Sequence, residues 1–212
     1  GTPLEKIKQL KYFVPNFTTK INLLNHLLKT DEAFERVLIF VNNKRIVDLL
    51  HERLNPEFQE QFGVIHSNKT QNYRLNTLAE FQKGNLKGII TTDIMARGLD
   101  IRDISHVINF EVPEISEQYI HRIGRTGRAD KDGIAITFNS PREEEWLLET
   151  EVLMNLEITQ LEIPASVEVS TVLMEFEKKK QKPKFISKKP AFEGGGAFHE
   201  KKDKNKKVNL GG

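Results

Sequence analysis

The stretch GIITTDIMARGLDI, Gly88–Ile101, changes character at its middle, where a short β-branched apolar run gives way to hydroxyls, a carboxylate and then a glycine. The run has the length and composition of a strand buried on both faces. Thr91, Thr92 and Asp93 then stand at its carboxyl end, where open parallel α/β sheets bind ligands. Gly98 permits a close backbone approach, and Asp100 is a carboxylate able to accept hydrogen bonds from a ribose. A second reading stands beside this one: a capped turn in which Arg97 pairs locally with Asp93 or Asp100. Residue types alone do not separate the two.

Similar runs recur outward from this one: KYFV at 11–14, VLIFV at 37–41, GVIH at 63–66, HVINF at 106–110 and GIAITF at 133–138, with a weaker run, ITQLEI, ending at Ile163. Amphipathic segments lie between them. Ile21, Leu24, Leu27 and Leu28 share one helical face, with Thr18 or Thr19 suited to cap it. Ile46, Leu49, Leu50 and Leu54 share another. Leu75, Leu78 and Phe81 form a third, closed by Gly84, and after Pro141 a run of acids opens a fourth helix. This alternation is that of βαβ units, so the fold class is α/β: an open, mostly parallel sheet flanked by helices.

The domain is expected over residues 1–165. Residues 166–212 are expected to be a linker, with a last helix over Thr171–Lys180, and a disordered basic extension too poor in apolar residues to fold alone. From Lys178 to Gly212 there are twelve Lys against three acids, a net of +9, whereas residues 1–177 carry twenty cations against twenty-seven acids, a net of −7. An acidic body does not bind nucleic acid through its average field, so such binding falls to local patches or to the tail. The chain has no Cys, which excludes disulfides and thiolate metal sites and makes a reducing, cytoplasmic location the expectation. VLIFV, the longest apolar run, is far too short to span a membrane. The opening GTPLEKIKQLKYF carries no Met and reads as an excised piece of a longer protein.

None of the thirteen glycines is followed by Lys, so there is no P-loop to cradle a nucleotide triphosphate. H-E-x-x-H, EF-hand and G-x-S-x-G patterns are absent too. The DEAF at 31–34 follows an amphipathic helix rather than a strand and reads as a connecting turn. QYIHRIGRTGRAD, 118–130, is different: His121, Arg122, Arg125 and Arg128 crowd between glycines with no acid among them. Arg pairs bidentately with phosphate oxygens, and the glycine punctuation beside a strand favours an anion site over a surface patch partnered by Glu114, Glu117 or Asp130. IHSNKTQNYR at 65–74 and VNNK at 41–44 also pass from strand end to helix start. Several strand ends therefore carry Asn, Lys, Arg, Thr or Gln, a rim fit for a polyanion despite the acidic body.

IFVNNK, HSNKTQNYR, TTDIMARGLDI and HRIGRTGR resemble, in order and spacing, motifs IV, IVa, V and VI of DEAD-box RNA helicases, over residues 4–165. The resemblance implies a second RecA-like domain, the C-terminal half of an ATP-dependent RNA unwinding engine, and the basic tail is similar to the extensions of bacterial members. It implies that Arg125 and Arg128 act as arginine fingers on the transferred phosphoryl group, that Gly98 and Asp100 meet the ATP ribose, and that His121 couples to the first domain, with Arg122 a phosphate or structural contact. Asn42, Asn43, Lys44, Gln71, Arg74, Thr92 and Asp93 match positions that hold the RNA backbone. Motif IV reads Asn-Asn where Asn-Thr or Glu-Thr is usual, a departure at Asn43. The P-loop, the acidic box and the Mg2+ site belong to the first domain, so the expected partners are RNA and that N-terminal domain, with no membrane and a monomeric fragment that is inactive alone. Two other classes remain open: a nucleic-acid-binding module without motor function, and half of a related DNA translocase.

Overall fold

Along the chain run β1 (Ile7–Phe13), α1 (Phe17–Thr30), β2 (Val37–Phe40), α2 (Lys44–Arg53), α3 (Pro56–Gln59), β3 (Phe62–Ile65), α4 (Gln71–Gln82), β4 (Gly88–Thr91), α5 (Asp93–Arg97), β5 (His106–Asn109), α6 (Ser116–Ile123), β6 (Gly133–Asn139), α7 (Glu144–Met154) and β7 (Thr159–Leu161). The computed structural model describes residues 4–101, 103–127 and 131–179. Arg128, Asp130 and the expected extension at 180–212 lie outside the described residues.

The seven strands form one sheet in the order β3-β4-β2-β5-β6-β1-β7, and every pairing in it is parallel. β2, β3, β4 and β5 are buried along their whole length, as a parallel sheet covered on both faces requires. Alternation sorts their side chains into two cores. Val37, Ile39, Ile90, Ile108 and Phe138 meet α1, α2 and α3 on one face. Leu38, Phe40, Ile89, Val107 and Ala135 meet α4, α5, α6 and α7 on the other. Because all strands run the same way, all their carboxyl ends share one edge of the sheet.

Local rules set the helix ends. α1 is capped by Asn16, whose side chain accepts from the Thr19 amide at 2.9 Å; Thr18 and Thr19, expected as caps, lie inside the helix. α4 ends with Gly84 at φ +84°, the Gly84 amide donating to Phe81 and the Asn85 amide to Glu80, a Schellman closure that favours glycine. On α4, Phe81 is buried but Leu75 is 51% exposed, so the expected apolar face is narrower than its spacing suggests. DEAF lies in the turn between α1 and β2, where Asp31 accepts from the Ala33 amide.

Past residue 165 the chain stays on the domain, and the compact unit reaches Lys178. Val167 is buried in the α1 core. The Asn16 amide group donates to the Ser170 carbonyl at 2.6 Å, and the Glu177 carboxylate accepts from the Phe17 amide at 2.6 Å. The Phe17 bond satisfies one of the orphan backbone donors at the start of α1. Instead of the expected helix over Thr171–Lys180 there is a single 3-10 turn, Glu175–Glu177. Among the described residues no helix is long and apolar enough to cross a membrane.

Candidate nucleic-acid interface

At the carboxyl edge of the sheet the Arg122 guanidinium is the hub. It is 1% exposed, carried on α6, and donates to both carboxylate oxygens of Asp93 at 2.7 Å, to the Glu111 carbonyl at 2.7 Å, to Asn42 Oδ1 at 2.9 Å and to Asn109 Oδ1 at 3.4 Å. Phe40 lies beneath it, 5.1 Å from the guanidinium carbon to the ring centroid. This bidentate pair with Asp93 is charge-assisted and shielded from water. Of the two roles expected of Arg122, a phosphate or a structural contact, its partners in this structure fit the structural one: its donors meet acceptors inside the protein and, as a strut, join the ends of β2, β4 and β5. The local Arg97–Asp93 pairing weighed from the sequence gives way to the same strut.

Around the hub the other predicted residues fall into two groups. Asn42, Asn43, Lys44, Thr92 and Asp93 line one cavity of about 470 Å³, together with Ser67, Ile94, Met95, Glu114, Ile115, Gln118 and Trp146. Asn43 caps α2, its side chain accepting from the Ile46 amide. The Lys44 ammonium donates to Asn68 Oδ1 at 3.0 Å, tying the start of α2 to the loop after β3. Gln71 and Arg74 sit next door on α4: Arg74 donates to Gln71 at 2.6 Å and to the Met95 sulfur at 3.1 Å. Thr92 is the N-cap residue of α5 and makes no capping bond with its side chain.

His121 and Arg125 lie on the other side of α5, lining a small cleft with Asp93, Arg97 and Gln118. Arg125 donates to the carbonyls of Ala96 at 3.0 Å and Leu99 at 3.1 Å, at the C-terminal end of α5. Asp130, weighed from the sequence as a partner, lies outside the described residues. Gly98 has φ −89°, which any residue adopts, and a Cβ there would meet nothing within 4 Å. Among the described residues no neighbour demands glycine there, and the space lies beside the exposed Asp100. Arg128, the second expected finger, is outside the described residues.

A buried network behind the rim escaped the sequence reading. Lys20 on α1 pairs with Glu143 and donates to the Phe110 carbonyl at 2.9 Å. Glu143 also accepts from the Val112 amide and from Ser140. The pair holds the loop after β5, in which Glu111 accepts from the Asn42 amide at 2.8 Å. Burial raises the pKa of Glu111, an effect partly opposed by that amide and by Lys20. The only hint in the sequence was Lys20 on the apolar face of α1.

A model of the helicase conserved C-terminal domain family matches residues 19–130. The DEAD-box ATP-dependent RNA helicase CshA of Geobacillus kaustophilus is 42% identical in an alignment of 149 residues that covers 66% of this chain and 32% of that protein, so the chain spans about a third of this relative's length. The C-terminal domain of the DEAD-box protein Dbp5 superposes with a TM-score of 0.69 at 29% identity, covering 76% of this chain and 92% of that one. S. cerevisiae Dbp5 bound to RNA and ADP BeF3 superposes with a TM-score of 0.67 at 30% identity, covering 74% and 42%. With the parallel sheet and the motif residues gathered at its carboxyl edge, these matches place the chain in the helicase conserved C-terminal domain family, as a domain of the DEAD-box kind.

Proposed function

We propose that the chain is the second RecA-like domain of an ATP-dependent RNA helicase. It holds the RNA backbone at Asn42, Asn43, Lys44, Gln71, Arg74 and Thr92, and completes an ATP site whose P-loop and Mg2+ are supplied by a first domain. The observation that carries this reading is the placement of α5. Its N-terminal end, Thr92–Asp93, lines the larger cavity, and Asp93 is held by Arg122. Its C-terminal carbonyls hold Arg125 in the smaller cleft. One five-residue helix thus touches both expected sites, and a shift of α5 on binding either ligand changes the geometry of the other.

The chemistry follows from the residues. Asn, Gln and Thr side chains, with Lys and Arg, supply donors to phosphate and sugar oxygens, a grip indifferent to sequence. Asp93 serves this grip indirectly, its oxygens being committed to Arg122. Arg125 would leave the α5 carbonyls for the γ-phosphoryl group when the domains close, and Arg128 would join it there, placing fixed positive charge where negative charge develops. Asp100, with the open space at Gly98, suits the ribose hydroxyls. ATP bound at such a shared site supplies the phosphoryl group whose transfer to water drives the cycle.

The deciding experiment compares this chain alone with the chain joined to its first domain, in ATPase assays with single-stranded RNA or DNA as stimulant. The fragment should show no stimulated turnover, and the joined protein should respond to RNA. Stimulated turnover by the fragment would sink the shared-site reading. RNA binding without any ATPase in the joined protein would favour a binding module, and preference for DNA would favour a translocase.

A further inference from the structure

Trp146, the one tryptophan in the chain, stands in the first turn of α7, partly buried against the core. It lines the 470 Å³ cavity together with Asn42, Asn43, Lys44 and Thr92. The same cavity is lined by Met95 and by Ile94 and Ile115, which are 75% and 52% exposed. Trp146, Asn42 and Asn43 also line the neighbouring larger cavity, so the indole occupies a shared edge between the two. Met95 and Trp146 are partly packed against the core, whereas Ile94 and Ile115 stand outside it, and large exposed apolar residues gathered around polar groups mark an interaction site.

The lining combines two chemistries in a way that matches one kind of ligand. One is a set of amide, hydroxyl and ammonium donors; the other is an indole with aliphatic side chains. A nucleotide has the same dual character, an anionic backbone joined to a flat base whose faces are apolar, and the cavity falls within the ~300–1,000 Å³ range of small-ligand sites. Glu114, also on the cavity, carries the wrong charge for a phosphate, which places the phosphate on the Asn42–Lys44 side.

We propose that Trp146, flanked by Ile94 and Ile115, is a base-stacking wall of the RNA groove, seating one nucleobase of a strand whose phosphates rest on Asn42, Lys44 and Thr92. This rests on the RNA-binding reading above and deepens it: the groove grips a base face as well as the backbone. Stacking tolerates any base, because every base presents a π-face, so the wall adds affinity without adding sequence preference.

The test uses the chain as it stands, at low salt, with a single-stranded RNA oligomer and the same oligomer carrying abasic sites, read by anisotropy of the labelled RNA and by emission of the single indole. The expected result is saturable quenching of Trp146 by intact RNA, little by abasic RNA, and a preference for intact over abasic RNA that falls by roughly 5- to 150-fold in Trp146→Ala. Trp146→Phe should keep most of that preference, which also separates stacking from a folding defect. A ratio of intact to abasic affinity equal in wild type and Trp146→Ala overturns the wall, while loss of affinity in Lys44→Ala would still uphold the backbone grip. If Lys44→Ala and Trp146→Ala are both without effect on RNA, the RNA reading of this cavity fails and the wall with it. If Trp146→Ala instead weakens only the ATP-dependent pairing with the first domain, the apolar wall is a protein interface and the proposal is wrong.

Discussion

Arg122 and Arg125 are three residues apart in one motif, yet the fold treats them in opposite ways. Arg122 is buried against a carboxylate that is itself 14% exposed at its side chain, so Arg122→Ala leaves Asp93 buried without its counter-charge. Breaking one side of a buried pair costs about 3–5 kcal/mol, and urea denaturation of Arg122→Ala should register a loss of that order. Arg125 gives hydrogen bonds to neutral carbonyls near the surface, each worth about 1 kcal/mol. Arg125→Ala should therefore change stability little while lowering RNA-stimulated turnover of the two-domain protein by ~10³-fold or more, the scale of a lost arginine finger. If the stability losses were equal, the division into strut and finger would be wrong.

At the scale of elements, β5 shows how a strand buried on both faces sets pH dependence. Its first residue, His106, is 3% exposed, stacks on Phe34 at 4.1 Å, and has its Nδ1 3.0 Å from the Ser105 hydroxyl. Desolvation lowers its pKa, against smaller opposing effects of Asp31 and Glu35. A lowered folded-state pKa means that the unfolded chain takes up the proton first as pH falls. His106 thus leaves stability intact above the ordinary His value of 6.5 and erodes it on acidification through and below that value. His106→Phe keeps the stack and removes the titration, so its Tm should gain on wild type progressively as pH drops from 7.5 to 5.5. A constant Tm difference across that range would remove His106 from the acid response. The elements themselves were legible from sequence: the apolar runs became β2 to β6 at nearly their expected places, because a strand buried on both faces needs nothing but a short apolar run between turn residues. Boundaries were less so. Asn16 outcompeted Thr18 and Thr19 as a cap through a bond visible only in three dimensions, and the segment after residue 165 stays on the domain because α1 presents it with unsatisfied amides and an apolar face.

For the whole molecule, charge is the organising quantity. An acidic body of net −7 and a tail of net +9 share one chain, so RNA affinity of the isolated chain should come largely from the Lys-rich end. Each phosphate neutralised releases counterions and steepens the salt dependence. Deleting residues 180–212 should flatten the slope of log affinity against log salt and cost most of the affinity at low salt; filter binding across a salt series would measure both. An unchanged slope would assign the electrostatic grip to the rim of the sheet.

The sequence by itself determined the α/β class, the places of the main strands and which strand ends carry polar side chains. Those are properties of short windows: a period of two or 3.6, a glycine after a helix, hydroxyls after an apolar run. Tertiary structure alone decided what each polar residue does there. Arg122 meets Asp93 across 29 positions and Lys20 meets Glu143 across 123, and Trp146 reaches the cavity of Asn42 only because α7 packs beside α6 at the carboxyl edge. Whether an arginine becomes a buried strut or a surface donor depends on which distant acceptor the folded sheet brings within about 3 Å, and hydrogen-bond strength falls too steeply with distance for sequence spacing to foretell it.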